Sequence, residues 1–318
     1  MAVARLACKG APKLEKAAPM WKIPAGAAVP STSIAPPVLD EREIHVRNLR
    51  FAFDRERVGS WHPQGTHVAL WFDVWSLFFP AGESFFIESV RRFEGQIQSS
   101  VLRLQVQRFI GQEAMHGREH HRYNVLLQEA GLPALYLAKR IRNLLAWIAK
   151  RTPAKTQLAM TVGLEHITAM MADAFLSDAR LSEGCDPRNA ALWWWHAIEE
   201  TEHKAVAFDV YEEVSAADWF GYARRVCVML GISLAFAFGA LAFHFILVAR
   251  VGRVGDLRGW GKLLGFLFVV PGLLRGQLRR YLDYFRWDFH PWQYDNYYKI
   301  ARWKSVKLPS DALPFAMR

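Results

Sequence analysis

Apolar positions recur with helical spacing from Thr66 onward. Residues 66–79 and 81–93 form two apolar-rich segments separated by Pro80, which suits the first turn of a second helix. An amphipathic stretch over 98–130 ends at Gly131, a glycine stop. Further helices are predicted over 134–151, from Pro153 to about Leu181, and over 188–214 beyond the turn marked by Gly184 and Pro187. Upstream, residues 41–58 partly alternate, predicting a short strand or an extended arm. Residues 1–40, rich in Ala, Pro and Lys, have no amphipathic period and read as a flexible tail. The pattern predicts an all-α fold with four principal helices: a bundle over 41–215, then a hydrophobic helical region over 216–318.

That last region contains the most apolar run, residues 226–249, whose only ionisable groups are Cys227 and His244. It is long enough to span a bilayer. A second run, 263–274, is shorter and carries Pro271, which fits an interfacial or re-entrant segment. Arginines flank both, among them Arg224, Arg250, Arg253, Arg258, Arg275 and Arg279. Two readings follow: insertion into or docking on a membrane with anionic headgroups, or a helix buried in a large helical core. Because both ends and the connector are basic, the positive-inside rule gives no orientation.

Charge sharpens this contrast. The chain of 318 residues carries a formal +10, and from Arg224 onward 15 Lys and Arg stand against 5 Asp and Glu. The first 223 residues balance, so all the excess is C-terminal. No nucleic-acid-binding motif accompanies it, and nucleic acid is not an expected partner. With 52% hydrophobic residues and 13 Trp the chain is too apolar to be disordered throughout. Cys8, Cys185 and Cys227 lie far apart without a Cys-x-x-Cys, which disfavours a disulfide framework or a thiolate zinc site and suits a reducing compartment. No apolar signal-peptide core occurs in residues 1–22. The expected location is cytoplasmic, at the cytoplasmic face of a membrane if the C-terminal segments dock there.

Two Glu-x-x-His strings, Glu113 with His116 and Glu200 with His203, each place a carboxylate and an imidazole on one helix face. One such pair is a weak signal. Glu83 precedes the first by 30 residues and Glu165 the second by 35, each on its own predicted helix and within an apolar stretch. The order Glu, Glu-x-x-His, Glu, Glu-x-x-His is how a ferritin-like four-helix bundle assembles a dinuclear carboxylate site. Several buried carboxylates need compensation, and metal ions supply it; an inter-helix polar network is the bland alternative. His196, four residues before Glu200, shares its face as a seventh ligand or as a partner holding a carboxylate. His120, one turn after His116, has the same two roles open. Glu199 preserves i+4 spacing to His203 and competes with Glu200 for assignment. Glu119 and His121 are expected at the surface, and Trp193, Trp194 and Trp195 in packing.

At "FPAGESFF" (79–86), "FIGQEAMHGREH" (109–120), "LEHITA" (164–169), "WHAIEETEHKAVAFDVY" (195–211) and "FHPW" (289–292) the chain resembles the predicted metal-dependent hydrolases of bacteria, a ferritin-like group. The resemblance implies a two-metal site with Glu83, Glu113, His116, Glu165, Glu200 and His203 as ligands. The run from His196 to His203 also looks like the last helix of di-iron arylamine N-oxygenases, where an added histidine joins the cluster.

Carboxylate and imidazole donors suit iron, the first expectation, with manganese or zinc also compatible. Ligand order and apolar surroundings favour a di-iron oxidase or oxygenase acting on a small apolar or lipid-like substrate, supplied by an external electron donor. The family's description favours the alternative, hydrolysis by metal-activated water. A non-catalytic metal-binding bundle is a third reading. No Walker loop, nucleophile elbow or dinucleotide fingerprint occurs, so no nucleotide cofactor is expected.

Overall fold

The computed structural model describes residues 42–215 and 218–304, all within one compact unit, Pro36–Arg318. The predicted tail over 1–40 lies outside the described residues. Among those described the fold is all-helical: α1 (Thr66–Arg91), α2 (Ser100–Glu129), α3 (Ala134–Arg151), α4 (Ala154–Ser177), α5 (Pro187–His203), α6 (Val206–Val214), α7 (Trp219–Arg250), α8 (Leu257–Phe268), α9 (Leu278–Asp283) and α10 (Tyr297–Lys304). Side chains begin several of them. Ser99 accepts from Leu102 N at the start of α2, Asp186 from Arg188 N and Asn189 N at α5, and Asp218 from Gly221 N at α7. Gly131, at φ 94°, turns the chain between α2 and α3.

Helix α1 is apolar on nearly every face and is correspondingly central, packing against α2, α3, α4, α7 and α8. The expected break at Pro80 does not occur; α1 continues through it. Proline cannot donate to the carbonyl four residues back, that of Ser76. Asn124 of α2 fills the gap, its Nδ2 donating to Ser76 O at 2.9 Å. A side chain on the neighbouring helix thus replaces the missing hydrogen bond.

One other expectation needs correction, and one open choice is decided. The single helix over 188–214 divides into α5 and α6 at Lys204–Ala205. Lys204 Nζ is held by Tyr294 O at 2.6 Å and Asn296 Oδ1 at 2.7 Å, and α6 turns away to pack on α4 and α2. Residues 42–54 form the extended arm and no strand. The arm finds no β partner; its backbone meets helix carboxylates instead, His45 N on Glu202 at 3.3 Å and Phe51 N on Glu119 at 3.2 Å. Ile44 and Phe51 are buried beneath it.

The apolar run over 226–249 lies within α7, which packs on α1 and α4. Gly163 permits the close approach to α4: a Cβ there would stand 2.5 Å from Ile232 Cδ1. Only one side of α7 is covered, so it is not the wholly buried core helix that one sequence reading allowed.

Replacing Asn124 by Leu should leave the Ser76 carbonyl without its donor and the Ser76 hydroxyl proton without its acceptor inside the protein. The expected loss is about 1–3 kcal/mol for each group left unpaired, read from urea unfolding; unchanged stability contradicts the role assigned to Asn124.

Candidate metal centre

Helix α1 supplies Glu83, α2 supplies Glu113 and His116, α4 supplies Glu165, and α5 supplies His196, Glu200 and His203. All seven are buried. Donor atoms of Glu83, His116 and His196 lie within 4.8 Å of one another, as do those of Glu113, Glu165 and His203, and those of Glu113, His116 and Glu200. The two four-residue strings therefore face each other across the interior. Gly117 leaves room for this: a Cβ there would come within 3.0 Å of Glu83 Oε2.

Hydrogen bonds behind the cluster determine which nitrogen each imidazole presents. Because Asn124 Nδ2 is committed to Ser76 O, its Oδ1 must accept, and Ser76 Oγ donates to it at 2.9 Å. Ser76 Oγ then accepts from His120 Nδ1 at 2.9 Å, which leaves His120 Nε2 as acceptor for His196 Nδ1–H at 2.7 Å. Burial, then neighbouring imidazoles, lower the pKa of both rings, that of His196 to about 4. A neutral His196 with its proton on Nδ1 turns a bare Nε2 lone pair toward Glu200 Oε1, 2.9 Å away. Two acceptors meet there, an arrangement that a bound metal ion or a shared proton would satisfy.

Gln112 orients His203 in the same way. Its Nε2 donates to Glu202 Oε2 at 2.8 Å and His45 O at 3.0 Å, so its Oε1 faces His203 Nδ1 at 2.7 Å and takes that proton. His203 Nε2 then points inward, 3.1 Å from Glu113 Oε1 and 3.4 Å from Glu165 Oε2. Arg47, from the arm, pairs with Glu202 at 2.6 Å and Glu199 at 3.0 Å. Glu199 Oε2 in turn lies 3.1 Å from His116 Nε2, while His116 Nδ1 faces Glu113. Carboxylate or amide groups standing behind imidazoles are the usual supports of a metal site.

The inward-facing atoms make no aligned hydrogen bonds. Both carboxylate oxygens of Glu83, Glu113 and Glu165, both nitrogens of His116, and His203 Nε2 are buried with close ionic neighbours at most and no hydrogen-bond partner. Such orphaned groups are expensive unless something binds them. Burial, reinforced by Glu113, pushes Glu83 well above the usual carboxylate range; burial with Glu200 and Glu113 pushes Glu165 up to about 8. Burial opposes ionisation of Glu113 and Glu200 as well, but adjacent imidazoles hold both low. Against the same burial, Glu113 and Glu199 raise His116 to about 10. Without a metal the cluster therefore keeps protons on some members to offset repulsion among the others. The donor set fits metal ions.

Beside the cluster lies an apolar pocket. Trp71, Phe72, Trp75 and Phe79 of α1, Phe175 of α4 and Trp193 of α5 form its aromatic wall. His196, Glu200 and Thr168 border it on the cluster side, and Leu273 on another. Thr168 Oγ1 donates to Glu200 Oε2 at 2.6 Å.

All seven sequence-derived candidates are brought together, with Glu200 inside the cluster and Glu199 behind His116. His120 has both nitrogens occupied by protein groups and acts on His196. Glu119 is a correction: it is fully buried, because the arm covers it and Arg118, Arg122 and Phe51 N bind its carboxylate. His121 is exposed as expected. Gln112, Arg47, Ser76, Asn124 and Thr168 were missed. Only Gln112 carried a usable signal, since it precedes His116 by four residues and so shares its face.

A family model described as predicted metal-dependent hydrolase matches residues 45–295. No curated protein and no solved structure matches the chain.

Stability of the metal-free protein should fall between about pH 7 and 8. In that window the fold retains protons on Glu83, Glu165, His116 and His203 that the unfolded chain sheds, so raising the pH favours unfolding. Lys204, lowered to about 7 by burial, opposes this, as do buried histidines held low, such as His120, His166, His196 and His244, whose contribution fades above about pH 7. Thermal unfolding after chelation should show the decline, and added divalent metal should abolish it; a flat or rising profile contradicts the assigned electrostatics.

Proposed function

The chain belongs to the predicted metal-dependent hydrolase family, and from that premise we propose that its buried cluster holds two divalent metal ions and hydrolyses an ester or amide bond of an apolar substrate. The observation that carries this reading is the set of buried carboxylate and imidazole atoms turned toward one another without hydrogen bonds. Glu83, His116 and His196 would hold one ion and Glu165 and His203 the other, with Glu113 and Glu200 beside both groups and available to either. Contribution from α1, α2, α4 and α5 in this order supports a ferritin-like four-helix arrangement.

When bound, the metal pair supplies a Lewis acid and lowers the pKa of a coordinated water. The protein's own groups set the conditions for that chemistry. Tryptophan and phenylalanine side chains around the pocket exclude bulk water and match an apolar acyl or aryl group. His196 and Glu200 belong to both cluster and pocket, so a scissile carbonyl held there adjoins the metal-binding atoms. Thr168 fixes one oxygen of Glu200, and the relay from Asn124 to His196 fixes the imidazole.

Dioxygen activation, suggested by the ligand order, is the second reading. It needs an electron donor, whereas hydrolysis needs only water. The family's description favours hydrolysis. Iron, manganese and zinc all suit the oxygen and nitrogen donors.

Reloading stripped protein separately with Fe(II), Mn(II) and Zn(II) under nitrogen, then offering p-nitrophenyl esters of increasing acyl length, separates the readings. Metal-dependent cleavage without oxygen is expected. Failure under nitrogen, with metal-dependent oxygen consumption in air, contradicts hydrolysis and selects the second reading. Glu83→Gln should lower bound metal from two ions per chain toward one without unfolding the protein, and Gln112→Ala should weaken metal affinity about 10–100-fold. Unchanged metal content in Glu83→Gln removes Glu83 from the set.

A further inference from the structure

Helix α7 leaves one apolar side uncovered along most of its length. Leu230, Leu234, Phe238, Leu241 and Phe245 follow one another at three- or four-residue intervals, and Leu234 and Phe238 are 74% and 76% exposed. The opposite side is fixed to the helical body: Met229 and Ile232 meet Gly163, Phe236 packs on Trp75 and Phe78, and His244 meets Trp71. Because α7 is tied to α1 and α4 over this length, whatever covers its outer side meets the body side-on.

The neighbouring segment extends the apolar exposure. Helix α8 also packs on α1, and its Trp260 ring lies 5.4 Å from that of His244. Leu257 is 80% exposed, and Leu264, Phe268, Val269 and Val270 are exposed with it. Charge accompanies these positions with one sign. Arg253, Arg258, Lys262, Arg275 and Arg279 are all exposed, and Asp256 is the sole acidic residue from Arg224 to Leu282. Asp256 is itself engaged, accepting from Gly259 N at 2.9 Å.

We propose that the outer side of α7 with α8 and the following segment is a docking surface for an anionic lipid bilayer, met in the plane of the membrane. Apolar side chains set between exposed basic groups match an interface in which acyl chains lie beneath negative headgroups. Docking also places the pocket close to the lipid, because Leu273, on the segment carrying Val269 and Val270, forms part of the pocket wall. The docking itself does not depend on which reaction the cluster performs.

Co-sedimentation of the full chain with phosphatidylcholine vesicles, with and without phosphatidylglycerol, tests the proposal, with metal content measured in parallel as a check on folding. Wild-type protein should sediment with the anionic vesicles and be released by salt. Leu234→Glu with Phe238→Glu should lower partitioning about a hundredfold. Arg253→Glu or Arg258→Glu should lower it at least about fivefold. A wild-type protein that stays in solution with both vesicle types overturns the proposal. So does a wild-type dimer that ignores vesicles and becomes monomeric with the two glutamates, since a second copy then covers the surface.

Discussion

Repulsion among buried carboxylates is the constraint on which this architecture depends. Glu83, Glu113, Glu165 and Glu200 come from four helices into an interior with almost no water exposure, and only imidazoles stand between them. Four ionised carboxylates in such a volume are untenable without positive charge. Protons can supply some of it, which is why Glu83 and Glu165 are driven upward while their neighbours are held low. Metal ions can supply more and engage the unpaired lone pairs at the same time. The interior accordingly combines a high electrostatic penalty when empty with a strong drive to bind cations.

Fold and site are coupled through a few groups outside the cluster. Asn124 replaces the hydrogen bond that Pro80 removes from α1, and by doing so sets the orientation of its own amide. That orientation passes through Ser76 and His120 to His196. A helix repair is thus also the first member of a chain that determines where an imidazole lone pair points. On the other side, the arm over 42–54 brings Arg47 and the His45 carbonyl to Glu199, Glu202 and Gln112, which orient His116 and His203.

Much of this was legible in the sequence, and the gaps have identifiable causes. Helix spacing revealed α2 and α3 almost to their ends, and the repeated Glu-x-x-His strings pointed to Glu113, His116, Glu200 and His203, which α2 and α5 bring together. Pro80 misled because its compensation comes from Asn124, 44 positions away and on a different helix. Glu119 looked like a surface residue because helical phase alone does not show that an irregular arm covers that side. The division between α5 and α6 depends on Lys204 being captured by residues of the distant C-terminal segment. The run within α7 is apolar on all sides, so periodicity was silent about which side the core would leave open.

Anomalous X-ray diffraction from crystals of the metal-loaded protein tests the central claim most directly. Two peaks are predicted, both enclosed by α1, α2, α4 and α5: one adjoining Glu83, His116 and His196, the other adjoining Glu165 and His203. Loaded crystals with no peak at these positions, or with Glu200 and His196 joined only by a shared proton, would contradict the account.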